Sequence, residues 1–118
     1  MRTIAVIPCY NEGSRVAEVV RAVAARVDAV VAVDDGSRDD TAVVLAASPC
    51  VLLRHRTNLG KAAALKTGLL ASLRLSPEAL VLLDADGQHR PEDIPVVLAP
   101  LRANQADMVV AVRALDRS

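Results

Sequence analysis

The chain has 118 residues, a length that suits one domain with a real hydrophobic core and leaves no room for a second. Its 14 basic and 14 acidic residues balance, and no basic cluster is interleaved with aromatic residues, so we expect no nucleic-acid partner. The apolar runs are too short for a transmembrane helix or a signal peptide, and we therefore expect a soluble, cytoplasmic chain.

Short apolar runs alternate with segments of helical period along the whole chain, a pattern typical of a parallel α/β sheet. The runs are rich in Val, Ile and Leu without alternating polar residues, as expected for strands that are covered on both faces. We predict a mostly parallel sheet of about five strands with helices on both faces. The predicted strands are residues 3–8, 29–34, 51–54, 79–83 and 108–112.

Four helices are predicted between these strands. Valines of the first repeat at three- and four-residue steps, which places them on one buried face. The second is predicted to begin at Ser37, whose hydroxyl has capping-box spacing to Asp40, and to end near Ser48. The third is predicted over residues 58–74, and the fourth begins at Pro91. The valines of the first helix are Val16, Val19, Val20, Val23 and Val27, and the predicted buried stripe of the third is Leu59, Leu65, Leu69 and Leu73.

Ligands of open α/β sheets bind beyond the carboxyl ends of the strands, so polar residues directly after an apolar run are candidate site residues. Such residues follow the first, second and fourth predicted strands. If the strands are parallel, these segments share one edge of the sheet. They are PCYNE at residues 8–12, DDGS at residues 34–37 and DADGQH at residues 84–89.

The segment after the fourth strand indicates a site for a hard divalent cation. Asp84 and Asp86 can flank one point on an extended segment, and Gln88 can add a neutral oxygen. Mg²⁺ and Mn²⁺ prefer such oxygen ligands, completed by water and substrate phosphates. A solvated acidic turn that caps the next helix is the simpler alternative.

Two other loops share part of this pattern. In haloacid-dehalogenase phosphatases a similar loop supplies a nucleophile and an acid, roles that Asp84 and Asp86 would take in this chain. The phosphatase loop, however, follows the first strand and continues with Thr or Val. An EF-hand is excluded, because His89 occupies the position of its turn glycine. The phosphatase stays open as a less favoured alternative.

The segments after the first two strands contain groups that suit a nucleoside. Tyr10 is the only residue with a large aromatic face, and it can stack on a base. Glu12 can accept from ribose hydroxyls or a base amine, and Asp35 can accept from a base N–H. Each residue alone is explained as simply by a turn or by a plug at the sheet edge. Their order along the chain favours a common site.

Four motifs in order resemble family 2 glycosyltransferases, and most closely the dolichyl- or polyprenyl-phosphate mannosyltransferase branch. They are VIPCYNE at residues 6–12, VDDGS at residues 33–37, NLGK at residues 58–61 and LDADGQH at residues 83–89. Residues 107–113 resemble the family's strand that ends with a basic residue. The resemblance implies a GT-A fold and inverting transfer of a sugar from a nucleotide donor, with Mg²⁺ or Mn²⁺ as the cofactor.

The resemblance also implies roles for individual residues. Lys61 either orients its loop or is solvated, His89 is more simply a residue at a helix start, and His55 is given no role. The implied nucleotide-sugar-binding residues are Pro8, Tyr10, Glu12, Val33, Asp35, Asp84, Ala85, Asp86 and Arg113. The implied metal ligands are Asp84, Asp86 and Gln88.

The family supplies its acceptor base and acceptor groove from sequence after the basic-ended strand. We therefore expect residues 1–118 to be one donor-binding domain that is truncated before the acceptor-binding part, with no catalytic base assigned. Two functions stay open, a transferase acting on a polyprenyl phosphate or a glycan, and a donor-binding module without turnover. GDP-mannose and UDP-glucose both fit as donors. A location at the cytoplasmic face of a membrane and the assembly of the chain into an oligomer also stay open.

Overall fold

The structure is a computed structural model, and it describes residues 2–85 of the chain. Strands and helices alternate throughout this range, as predicted. The elements are β1 (Thr3–Cys9), α1 (Arg15–Ala24), β2 (Ala29–Asp34), α2 (Thr41–Ala46), β3 (Val51–Arg54), α3 (Lys61–Leu73) and β4 (Ala79–Leu82).

The strands form one parallel sheet in the order β3-β2-β1-β4. The predicted α/β class is confirmed, and the described range holds four strands where we predict about five. The fifth predicted strand, residues 108–112, and the helix predicted from Pro91 lie outside the described residues. Because β2 and β4 lie on opposite sides of β1, the order of the strands reverses at β1. Open α/β sheets bind ligands beyond the carboxyl end of the strand at which this reversal occurs.

Helices cover both faces of the sheet. The larger core lies on the side of α1 and α2, where the predicted valine face of α1 is confirmed by buried Val16, Val20 and Val23. The smaller core lies under α3, which packs on β1 and β2. Among residues 2–85, no helix has both the length and the hydropathy that a membrane span requires.

The face of α3 that packs on the sheet differs from the predicted leucine stripe. Its buried residues are Ala64, Gly68 and Ser72, whereas Leu59 and Leu73 are 60% and 61% exposed. The reason is close packing, since a Cβ atom on Gly68 would lie 2.5 Å from Val6 Cγ1. Small residues therefore let the helix approach β1, and the prediction from hydrophobicity alone was wrong.

The start of α2 was also predicted wrongly. The helix begins at Thr41 rather than Ser37. The Ser37 hydroxyl donates instead to the buried carboxylate of Asp34, and Ser37 lies three residues before Asp40, the residue at the N-cap position of α2. Asp34 also lies 3.2 Å from Arg54 Nε, so this first acid of the VDDGS motif stabilises the end of the sheet.

Candidate functional site

A cleft of about 450 Å³ opens at the carboxyl edge of the sheet, beyond β1 and β4. The cleft brings together residues that are widely separated in sequence, as expected if the segments after the strands lie at one edge of the sheet. The predicted site residues that line it are Pro8, Tyr10, Glu12, Asp35, Asp84 and Ala85, and the others include Asn11, Arg15, Asn58, Gly60 and Lys61.

Within residues 2–85, one predicted site residue does not line this cleft. Val33 is fully buried under α3 near the position of Gly68, so its predicted contact with a ligand stays a prediction. Asp86, Gln88 and Arg113 lie outside the described residues.

The loop after β1 is tied to the loop after β2. The backbone N–H of Asn11 donates to the Ser37 hydroxyl at 2.8 Å, and that of Glu12 donates to the Thr41 hydroxyl at 2.9 Å. The Ser37 and Thr41 side chains, which follow β2 in the sequence, thus accept hydrogen bonds from the loop after β1. They fix the backbone that carries Tyr10 at the mouth of the cleft.

Tyr10 is 42% exposed at the cleft, which suits a ring that contacts a ligand and not a plug of the sheet edge. Glu12 is mostly buried, and one of its carboxylate oxygens accepts from Arg15 at 3.1 Å. The two residues therefore present an aromatic face and a carboxylate on the same side of the cleft.

Asp35 is a buried carboxylate that holds the loop between β3 and α3. Its Oδ1 accepts from the backbone N–H of Leu59 at 2.9 Å, and its Oδ2 accepts from that of Gly60 at 2.9 Å. His55 Nδ1 lies 2.7 Å from Oδ1. Burial by itself would raise the pKa of Asp35, but the hydrogen bonds from His55, Leu59 and Gly60 outweigh it and hold the pKa below its ordinary value.

His55 contacts the cleft residue Asp35, and the sequence did not reveal this role. Its ring is largely buried between Asp35 and Thr67, whose hydroxyl lies 2.8 Å from Nε2. In the sequence it stands between two arginines and has no motif spacing, so it resembles an ordinary loop residue. The available signal was its position directly after β3, at the same sheet edge as Asp35.

The lowered pKa of Asp35 predicts a loss of stability in acid. A carboxylate with a depressed pKa stabilises the fold above its unfolded value, near 3.8, and this contribution disappears as the pH falls through the lower folded pKa. The free energy of unfolding, measured in urea from about pH 6 to about pH 2.5, should fall with pH, and below about pH 4 it should fall less steeply in Asp35→Asn than in the wild type. Equal slopes in the two proteins would show that Asp35 does not contribute to it.

Asp84 and Lys61 connect the end of β4 to the start of α3. The Lys61 ammonium forms an ion pair with Oδ1 of Asp84, and the carboxylate is nearly buried while the lysine is exposed. The alternative in which Lys61 is merely solvated is therefore wrong. The ion pair places one positive and one negative group at the cleft wall beside Ala85.

The nearly buried Asp84 carboxylate supplies the hard oxygen atoms that a divalent cation prefers, and a cation bound there would share this carboxylate with the Lys61 ammonium. Across residues 2–85, no three His, Cys, Asp or Glu side chains are grouped as metal ligands. A complete site would thus need Asp86 and Gln88, the other two predicted ligands.

Residues 4–117 match the family model described as Glycosyl transferase family 2. The chain is 30% identical to UDP-N-acetylglucosamine–dolichyl-phosphate N-acetylglucosaminyltransferase of Methanococcus voltae, over 92% of this chain and 50% of that protein. It is 36% identical to polyprenol monophosphomannose synthase of Mycolicibacterium smegmatis, over 95% of this chain and 45% of that protein. The chain spans about half the length of the curated relatives it matches.

A solved structure shows the same fold. Glucosyl-3-phosphoglycerate synthase of Mycobacterium tuberculosis, crystallised with Mn²⁺, UDP-glucose and phosphoglyceric acid, matches with a TM-score of 0.70 and 25% identity, over 85% of this chain and 39% of that one. The resemblance to family 2 is confirmed, and the phosphatase alternative is wrong. The chain belongs to glycosyl transferase family 2, and its α/β sheet is that of the GT-A glycosyltransferases.

Proposed function

We propose that this chain binds the nucleotide-diphosphate sugar donor of an inverting, metal-dependent glycosyltransferase. The observation that carries the proposal is the single cleft at which Tyr10, Glu12, Asp35 and Asp84 meet. It combines an aromatic face, acceptors for a nucleoside and an acidic end for a cation. In a nucleotide sugar the base, the ribose and the cation-binding diphosphate follow one another in the same order.

The nucleoside would lie at the end of the cleft formed by the loops after β1 and β2. Tyr10 offers its exposed ring to the base, and Glu12 and Asp35 offer acceptors for N–H and O–H groups. Pro8 lines the cleft near the end of β1, whereas Val33 is fully buried in β2, so its proposed contact with the donor stays a prediction.

The diphosphate would lie at the other end, beside Asp84, Ala85 and Lys61, with Arg113 as a further proposed contact. Asp84, Asp86 and Gln88 would hold Mg²⁺ or Mn²⁺, and the cation would stabilise the negative charge that develops on the leaving diphosphate. The related synthase crystallised with Mn²⁺ and UDP-glucose supports this assignment. The Lys61 ammonium adds a positive charge on the same side.

A polyprenyl phosphate is the proposed acceptor, and mannose and glucose are the candidate sugars. The relatives named for dolichyl phosphate and polyprenol support this choice. A phosphate acceptor is already anionic and needs less help from a base than a sugar hydroxyl does. Because such acceptors are membrane lipids, we place the reaction at the cytoplasmic face of a membrane.

A thermal-shift screen of nucleotide sugars in the presence of Mn²⁺ tests the proposal. A ligand that binds only the folded state stabilises it by about 2.7 kcal/mol at a hundredfold excess over Kd, and this raises the melting temperature. We expect a shift with UDP- or GDP-linked sugars and none with the free sugars. The absence of a shift with every nucleotide sugar would contradict the proposal.

Tyr10→Ala is expected to weaken nucleotide binding about fivefold, because base stacking contributes on the order of 1 kcal/mol. The melting temperature should stay close to the wild-type value, since the ring is exposed beyond the end of its strand. Calorimetric titration and thermal unfolding measure the two effects. Tyr10→Phe keeps the aromatic face and should bind like the wild type, and a large fall in melting temperature in Tyr10→Ala would instead assign the ring to the core.

A further inference from the structure

Asp35 is the buried carboxylate at the nucleoside end of the cleft, and donors of the chain itself already occupy most of its acceptor positions. Oδ1 faces both His55 Nδ1 at 2.7 Å and the Leu59 N–H at 2.9 Å, whereas Oδ2 accepts from the Gly60 N–H at 2.9 Å. Each oxygen of an ionised carboxylate offers about two acceptor positions. Oδ1 is therefore filled, and Oδ2 has one position left for a ligand.

The tautomer of His55 follows from this geometry. An ionised carboxylate only accepts, so His55 Nδ1 must carry the hydrogen that lies between it and Asp35. In the neutral ring, Nε2 then accepts from the Thr67 hydroxyl at 2.8 Å. Because both ring nitrogens are engaged, His55 is held in the orientation that fills Oδ1.

The one acceptor position that remains on Asp35 suits some bases better than others. Guanine presents two adjacent donors, N1–H and the N2 amino group, which pair with both oxygens of a carboxylate. Uracil presents one N–H between two carbonyl oxygens. With Oδ1 filled, guanine would leave one donor unpaired in a partly buried place, whereas uracil would have its single N–H satisfied.

Asn58 favours the same base. Its side-chain amide lies 3.4 Å from the Asp35 carbonyl oxygen and lines the cleft, so its second N–H can donate to a carbonyl of the base. Uracil has a carbonyl on each side of its N–H. Glu12, the other carboxylate near the nucleoside end, accepts from Arg15.

We propose that the donor is a uridine-type nucleotide sugar, and that His55 is the positioning residue that sets this preference by filling one oxygen of Asp35. The proposal rests on the proposed donor-binding function. It narrows the choice between GDP-mannose and UDP-glucose to the uracil-containing class.

Calorimetric titration of UDP and of GDP into the chain, each with Mn²⁺, tests the preference. We expect UDP to bind roughly tenfold more tightly, because an unpaired buried donor has a cost of that order. GDP binding that is equal or tighter would overturn the inference and leave the proposed function intact. Binding of neither nucleotide would overturn the proposed function, and the inference with it.

His55→Leu tests the positioning role. The change empties one acceptor position on Oδ1, so the affinity ratio of UDP to GDP should fall at least about threefold. His55→Asn supplies an amide N–H near the place of Nδ1 and should restore the ratio. Thr67→Val removes the hydroxyl that orients His55 but keeps the Nδ1 donor itself, so the affinity ratio should change less than in His55→Leu.

A merely structural role of His55 would give a different result. His55→Leu would then lower the melting temperature and weaken UDP and GDP by the same factor. An unchanged ratio in folded His55→Leu or a ratio in His55→Asn that matches His55→Leu would overturn the assignment. The comparison of UDP with GDP on the wild-type chain needs no variant and decides the preference even if a variant does not fold.

Discussion

Asp35→Ala is expected to lower the free energy of unfolding by roughly 2–4 kcal/mol, because one change removes the acceptor of three hydrogen-bond donors. The N–H groups of Leu59 and Gly60 and the Nδ1–H of His55 would lose their partner together. The loop that begins α3 would no longer be held against β2. Binding of a nucleotide should fall below detection, since the proposed acceptor for the base is lost as well.

Urea unfolding measures the stability change, and Asp40→Ala is the matched control. Asp40 is exposed at the start of α2, and its side chain makes no capping hydrogen bond. Its removal should therefore change the unfolding free energy by no more than about 0.5 kcal/mol. If the two alanine variants are equally stable, the network around Asp35 does not hold the loop as described.

Gly36→Ala is expected to destabilise the fold by roughly 3 kcal/mol, through backbone strain and a steric clash together. Gly36 has a φ of 75°, a value that disfavours residues with a side chain. A Cβ atom there would lie 2.6 Å from the backbone nitrogen of Asn58, and still closer to the carbonyl carbon of Thr57. Backbone atoms cannot rotate away as a side chain can, so the two loops would have to separate.

Gly13→Ala separates the two causes. Gly13 has a similar φ of 66°, but the nearest atom to an added Cβ is 3.9 Å away. This control should therefore show the strain without the clash, at roughly 1–2 kcal/mol. Thermal unfolding of both variants measures the difference, and a Gly36→Ala protein as stable as Gly13→Ala would contradict the close approach of the loops.

The strands and the first helix could be predicted because their signals are local. Apolar runs bounded by polar residues gave β2 and β3 with the bounds that the structure has, and the valine repeat gave the buried face of α1. The face of α3 could not be predicted in this way. Its leucines carry the hydrophobic signal, but Gly68 is the residue that fits against Val6, and this fit depends on the distance between layers.

The site was partly predictable for a related reason. Tyr10, Asp35 and Asp84 each lie within two residues of the end of a strand, so the parallel sheet alone brings them to one edge. The role of His55 depends on the register of β2 and β3, in which Asp34 pairs with Arg54 and the next residues along the two strands become neighbours. That register has no signature in the sequence. The predicted roles of Asp86, Gln88 and Arg113 stay predictions.

Calorimetric titration of UDP into the chain, with Mn²⁺ and again with excess chelator, tests whether a cation holds the donor. Asp86→Ala is measured beside the wild type, and Asp40→Ala is the control. A cation held by Asp84 and Asp86 against the diphosphate predicts binding that requires Mn²⁺, is lost in Asp86→Ala and is retained in Asp40→Ala. Equal affinity with and without the chelator, or undiminished affinity in Asp86→Ala, would contradict a metal-dependent donor site.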